Sequence, residues 1–191
     1  MDTVAGANLI TILFLFFVIV GLSIYTLTIY NELIRLRNET DRAWADIDVL
    51  LKQRHDQVPN LVATCKGYMQ HEQAVFQMVA EARSAYASAR TIGEKAQAND
   101  MATGALRTLF GVAESYPKLK ASALFLQLQT MIADLEERIA DRREYFNDAI
   151  ATYNTRIRQL PDSFFATLAG MTPREFFRAT DSERVSTTVE F

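Results

Sequence analysis

The chain has 191 residues, with 20 basic groups, 23 acidic groups and a formal net charge of -3. Acidic and basic groups nearly balance, which argues against a nucleic-acid binder, because such proteins neutralise phosphates with a basic excess. One cysteine, Cys65, cannot staple its own chain and fits a reducing compartment, and seven Gly and four Pro are too few for the turns of an all-β fold.

From Thr3 to Asn31 no residue is charged. Within that stretch Leu9–Tyr30 would form a helix about 33 Å long, enough for a hydrocarbon core of about 30 Å. A helix also satisfies its own backbone groups, which hydrocarbon demands. Tyr25 and Tyr30 lie at the end nearer the remaining chain, where aromatic rings favour the membrane interface. A signal peptide would need a basic start and a shorter apolar run. A core helix apolar on every side would need a larger protein around it. The reading is a transmembrane helix over residues 9–30, preceded by a short extracytoplasmic N-terminus, residues 1–8. Arg35, Arg37 and Arg42 follow the span and no Lys or Arg precedes it, so the positive-inside rule puts the C-terminal domain in the cytoplasm. The sequon Asn38-Glu39-Thr40 then never meets a glycosylation machinery.

Residues 31–178 read as a cytoplasmic helical bundle. No Gly or Pro occurs between Gly21 and Pro59, so the membrane helix can run on. Leu33, Leu36, Ala43, Ile47, Leu50, Val58, Leu61, Cys65 and Tyr68 continue in steps mostly of three and four, as in a coiled-coil or bundle seam. Pro59 removes the amide donor to the His55 carbonyl and predicts a bend. The pattern resumes through Val75, Val79, Ala82 and Tyr86 and fades near Thr91.

Gly93–Asp100 is polar without a clear stripe and reads as a turn, with Asn99 or Asp100 capping a helix over about Met101–Ser115. Met101, Leu106, Leu109 and Phe110 should face inward. Tyr116-Pro117 ends that helix, and Pro117 suits the first turn of the next. A long helix is expected over about Lys118–Gln159, with Leu124, Leu128, Ile132, Leu135, Ile139, Phe146, Ile150, Tyr153 and Ile157 inward; Leu160-Pro161 stops it. Ser163–Ala169 suggests a brief helix ended by Gly170. Thr172-Pro173-Arg174-Glu175 has the form of a capping box and predicts a short helix through Phe176-Phe177. The two Phe-Phe pairs suggest a lid over the open end of the bundle. The tail, residues 179–191, ends in alternating Val185, Thr187, Val189 and Phe191, which reads either as a disordered tail or as a strand that orders on a partner.

Candidate chemistry is sparse. His71-Glu72 begins like a zinc-protease motif, but position 75 is Val where the second His is required. The other histidine, His55, lies sixteen residues away and cannot complete a usual zinc site. Asp46 and Asp48 point to different helix faces, and Asp48–Lys52 reads as an ordinary surface ion pair. Cys65 sits in the apolar seam as a buried thiol. Trp44 reads equally as core packing or interface. Gly-rich phosphate loops, GxSxG elbows and CxxC pairs are missing from the sequence. The expectation is therefore no cofactor, no metal and no enzyme.

Several phrases together resemble the LemA family of bacterial membrane proteins. The strongest run is Arg42–Val62, through Ala43, Trp44, Ile47, Asp48, Leu51, Arg54, Asp56, Pro59, Asn60, Leu61 and Val62. Tyr30-Asn31, Lys66-Gly67-Tyr68, His71-Glu72, Ala82-Arg83, the run Glu114–Ala121, Leu126–Gln129, Leu135-Glu136 and Tyr153-Asn154 add to it. Phe146-Asn147 departs from the family's frequent Tyr-Asn and loses only a hydroxyl. The resemblance implies an all-α fold: a transmembrane helix continuing into a LemA-like four-helix bundle of long antiparallel helices. It implies no settled activity, and it makes Pro59-Asn60 part of a pattern rather than a defect.

Trp44, Asp48, Arg54, Pro59, Asn60, Tyr68, Tyr116, Pro117, Phe176 and Phe177 are the candidate interaction or structural residues. The leading expectation is a non-enzymatic scaffold that self-associates as a homo-oligomer at the cytoplasmic face of the bacterial inner membrane. The alternative is an adaptor for a membrane protease or an envelope-stress machine. The partners expected are the lipid bilayer, further copies of the chain and another membrane protein, with no nucleic acid.

Overall fold

The computed structural model describes residues 2–178, with side chains from Ile12 onward. Six helices follow in order within them: α1 Asp2–Lys66, α2 Gln73–Ser88, α3 Ile92–Ala113, α4 Pro117–Lys120, α5 Ala123–Arg156 and α6 Asp162–Leu168. No strand occurs among the described residues. The fold is all-α. The expected tail, residues 179–191, lies outside the described residues.

α1 is long and apolar enough to cross a bilayer. Between Ile12 and Tyr30 only Ile29 is buried. Ser23 and Thr28 turn their hydroxyls back to the Ile19 and Ile24 carbonyls at 2.8 and 2.9 Å, so neither exposes an unpaired donor on this apolar surface. The helix then continues without a break through Pro59 to Lys66. One lost amide donor is outweighed there by tertiary packing: Val58 and Leu61, on either side of the proline, are both buried.

The chain divides into two compact units, and α1 and α5 each contribute to both. The first comprises residues 1–41 and 149–174. Its core joins Ile29, Leu33 and Leu36 of α1 to Tyr153 of α5, to Ile157 just past its end and to Ala166 of α6. Gly170, at φ 65°, lets the chain leave α6: its N–H and that of Met171 return to the Thr167 and Ala166 carbonyls at 3.1 and 2.9 Å.

The second unit comprises residues 42–148 and, at the end of the described residues, 175–178. Its apolar core draws on four long helices, through residues such as Leu61 and Cys65 of α1, Val79 of α2, Leu109 of α3, and Phe125 and Ile132 of α5. That is the four-helix type of packing the sequence suggested.

Several boundaries differ from the sequence reading. Residues 93–100 are helical rather than a turn. Thr91 caps α3 by accepting from the Glu94 N–H at 3.1 Å, while Glu94 accepts from the Thr91 N–H at 3.0 Å. This reciprocal pair moves the helix start nine residues ahead of Met101. Met101, expected inward, is exposed. The single long helix over Lys118–Gln159 is instead two, because the chain turns at Ala121-Ser122 between α4 and α5. At the restart Phe125 is buried and Leu124 is exposed, while Leu128, Ile132 and the later inward positions are buried as expected. A similar slip follows the end of α1, where Met69 is buried and Tyr68 is not.

The helix expected from the Thr172–Glu175 capping box does not form; residues 171–178 are extended or irregular. Side chains of α5 take up the backbone groups that helix would have used. Asn154 donates to the Arg174 carbonyl at 2.9 Å and accepts from its N–H at 2.8 Å. The Tyr153 hydroxyl donates to the Thr172 carbonyl at 3.2 Å. Phe165 packs in the first unit and Phe177 is buried in the second, while Phe164 and Phe176 are exposed.

Candidate functional site

The most developed polar site lies in the second unit around Arg54, whose side chain is only 3% exposed. α1 carries it among apolar neighbours, Leu50, Leu51 and Val58, so its charge needs partners. α5 supplies the Glu136 carboxylate. α3 supplies the Thr103 hydroxyl at 3.1 Å and the Asn99 side-chain oxygen at 2.8 Å. Thr103 also donates to the other Glu136 oxygen at 2.9 Å. One guanidinium thus ties three helices through directional bonds, which fixes their register more sharply than apolar contact can.

A second cluster surrounds Trp44. Its ring centroid lies 5.7 Å from that of Phe146 and 6.0 Å from that of Phe177. Lys95 of α3 stands 5.5 Å from the Trp44 ring centroid and 5.8 Å from that of Tyr86, and pairs with Asp48. Asp48 therefore reaches across to α3 and does not pair with Lys52, which instead approaches Asp56 at 3.9 Å. Lys95 belongs to the segment expected as a turn; once residues 93–100 are helical, their cation faces α1.

The remaining candidates divide by role. The Tyr116 hydroxyl donates to Glu72 at 2.7 Å, tying the turn before Pro117 to the start of α2. That bond, ahead of burial and the nearby charge, raises the Tyr116 pKa. The His71-Glu72 pair thus ends in a structural contact rather than a metal site. Pro117 takes the first position of α4. Asn60 is exposed and donates to Gln57 at 3.2 Å. Tyr68 is exposed, and Phe176 is exposed beside the buried Phe177.

A cavity of about 20 Å³, room for one water molecule, lies next to Arg54 and is also lined by His55, Arg83 and Tyr86. The His55 and Tyr86 rings stack with centroids 4.9 Å apart. Burial, then the Arg83 cation, lowers the His55 pKa. Burial raises the Cys65 thiol to about 11, so it stays protonated and unreactive near neutral pH. Among the described residues no three His, Cys, Asp or Glu side chains gather as metal ligands.

Asn99, Thr103, Glu136, Lys95 and Asn147 escaped the sequence reading as site residues. Asn99 was visible only as a potential helix cap, and Glu136 only as part of the Leu135-Glu136 match. Glu94, three residues after Thr91, was the one local signal that could have placed Lys95 and Asn99 on a helix.

Magnetosome protein MamQ 2 of Paramagnetospirillum magneticum is 24% identical over 175 residues, covering 78% of this chain and 64% of that protein. The chain thus spans less than two thirds of that relative's length. The MamQ of Magnetospirillum gryphiswaldense is 36% identical over 73 residues, 38% of this chain and 27% of that protein. Protein LemA of Metamycoplasma hominis is 28% identical over 160 residues, covering 81% of this chain and 71% of that protein. The family profile described as LemA family matches residues 43–191, a span that holds both the Arg54 cluster and the Trp44 cluster, and the chain belongs to the LemA family.

Proposed function

We propose that this protein is a membrane-anchored, non-enzymatic helical scaffold that self-associates at the cytoplasmic face of the bacterial inner membrane, with its N-terminus outside. The observation that carries the reading is α1 itself: one helix supplies an exposed apolar span and, further along, the buried seam of a helical domain. A span built this way gives a folded domain a fixed attachment rather than a loose tether. The conspicuous polar groups of that domain, Arg54, Glu136 and Asn99, are consumed in holding helices together. Kinship with LemA and with the MamQ magnetosome proteins supports a membrane-associated, non-enzymatic role. The three arginines just after the span support the orientation.

Native mass measurement of the full chain in nanodiscs tests self-association; discrete oligomers are expected, and a monomer at every loading overturns the reading. Protease treatment of inside-out and right-side-out vesicles tests the orientation, with digestion of the helical domain expected only in the inside-out preparation.

A further inference from the structure

Arg83 of α2 is only partly exposed, and its Nε is shielded from solvent without an acceptor among the described residues. Arg83 lines a groove of about 290 Å³ between α1 and α2, together with Pro59, Val62, Lys66, Phe76 and Val79. Both units of charge in that lining are positive, and no acid is among the lining residues. Lys66 Nζ stands 5.7 Å from the Phe76 ring centroid. Phe76 and Arg83 are seven residues apart on α2, two turns or about 10 Å. The groove therefore has a cation at each end and an apolar floor between them.

That spacing selects the occupant. A small acid placed at one cation leaves the other unused. About 10 Å is three to four residues of extended chain at ~3.3 Å each, and because successive side chains alternate in face, two like-facing acids with an apolar residue midway stand four residues apart. We propose that the α1–α2 groove binds an acidic peptide segment of a partner protein, with two carboxylates four residues apart and an apolar side chain midway between them. Arg83 takes one carboxylate through its planar fork, and Lys66 takes the other as a point charge. The apolar side chain rests on Val62 and Phe76. Neither self-association nor the orientation of the anchor enters this argument.

The test uses the full chain in nanodiscs of zwitterionic phosphatidylcholine and a fluorescein-labelled peptide containing Glu-Thr-Val-Thr-Glu, read by anisotropy. Saturable binding is expected, weakened about fivefold or more by Arg83→Gln and by Lys66→Gln, and weakened again as salt screens the charges. The matched peptide with both Glu replaced by Gln should not bind. Equal binding of the Gln peptide, or unchanged binding after Arg83→Gln, overturns the proposal. Octanoate bound as tightly as the peptide, with the same loss in Arg83→Gln, makes the groove a small-acid site and overturns the peptide assignment. Thermal melts by circular dichroism confirm that each variant is folded, and Lys66, exposed at the end of α1, gives a second variant that spares the core.

Discussion

Asn147 holds Phe177 by both ends of its backbone, donating to the Phe177 carbonyl at 3.1 Å and accepting from the Phe177 N–H at 2.9 Å. The clamp does for residue 177 what a neighbouring strand would do, so the chain stays extended beside a helix without exposing its polar groups. The Phe177 ring, fully buried, contributes about 1.5–3 kcal/mol. The two hydrogen bonds contribute about 0.5–1.5 kcal/mol each, so ring and clamp carry comparable weight.

Asn147→Ala should therefore destabilise the seating of Phe177 by about 1–3 kcal/mol. Trp44 is the only tryptophan and lies against Phe177, so its emission reports the event directly. A red-shifted maximum and easier acrylamide quenching are expected. Asn147→Asp should not rescue, because a carboxylate cannot donate to the Phe177 carbonyl. Emission identical to the parent protein in both variants would show that the ring alone holds the segment.

Arg54→Ala should cost about 3–5 kcal/mol, because it strands Glu136 and Asn99 beside an apolar core. Urea unfolding followed by circular dichroism measures the loss. Arg54→Lys should recover little, since one ammonium cannot reach three acceptors in the geometry of a guanidinium fork. The double change Arg54→Met with Glu136→Leu should be markedly less harmful than Arg54→Ala, as it removes both charges together. A double variant as unstable as Arg54→Ala would mean that the cluster stabilises through net attraction rather than through the penalty of stranded charge.

Cys65 is wholly buried, and burial raises its thiol pKa to about 11. A maleimide at pH 8 should therefore label the folded protein slowly and the urea-unfolded protein at once. Labelling of the native protein as fast as a free thiol would contradict the buried position. Since the sequence holds no other cysteine, the rate is also a site-specific measure of opening where α1 meets the core.

The inward seam of α1 was legible because Leu33, Ile47, Leu61 and Cys65 keep a helical period over a long uninterrupted run. At the two breaks the helical step does not carry across the turn, so Leu124 and Tyr68 were each read in place of the following residue, while Val75 and Leu128 beyond them kept their places. Residues 93–100 were misread because Gly93 and Asn99 suggest a turn, whereas the Thr91–Glu94 box and burial of Ala96 and Ala98 decide for helix. The segment after Gly170 failed for the opposite reason. Its capping signature is local, but the bonds made by Asn147 and Asn154 come from residues 20 to 30 positions away, which no window on the sequence contains. The Arg54 cluster was likewise half visible: Arg54 stood out, and its acceptors on α3 and α5 did not.

His55 gives the fold a weak sensitivity to acid. Its ring stacks on Tyr86, and its pKa falls below 6.5 through burial first and the Arg83 cation second; Lys52 lowers it further, and Asp56 opposes. A histidine whose folded pKa is depressed binds protons more readily when unfolded. Its penalty is therefore small above 6.5, grows as pH falls through 6.5, and stops growing below the depressed folded value. Thermal melts between pH 8 and pH 5 should show the melting temperature falling through that window. His55→Gln, which keeps a planar polar group without the titration, should flatten that part of the profile. Parallel curves for the two proteins would place the acid sensitivity elsewhere. An acidic peptide in the α1–α2 groove would partly neutralise Arg83 and so raise the folded His55 pKa, narrowing the window from its acid side and shrinking the penalty.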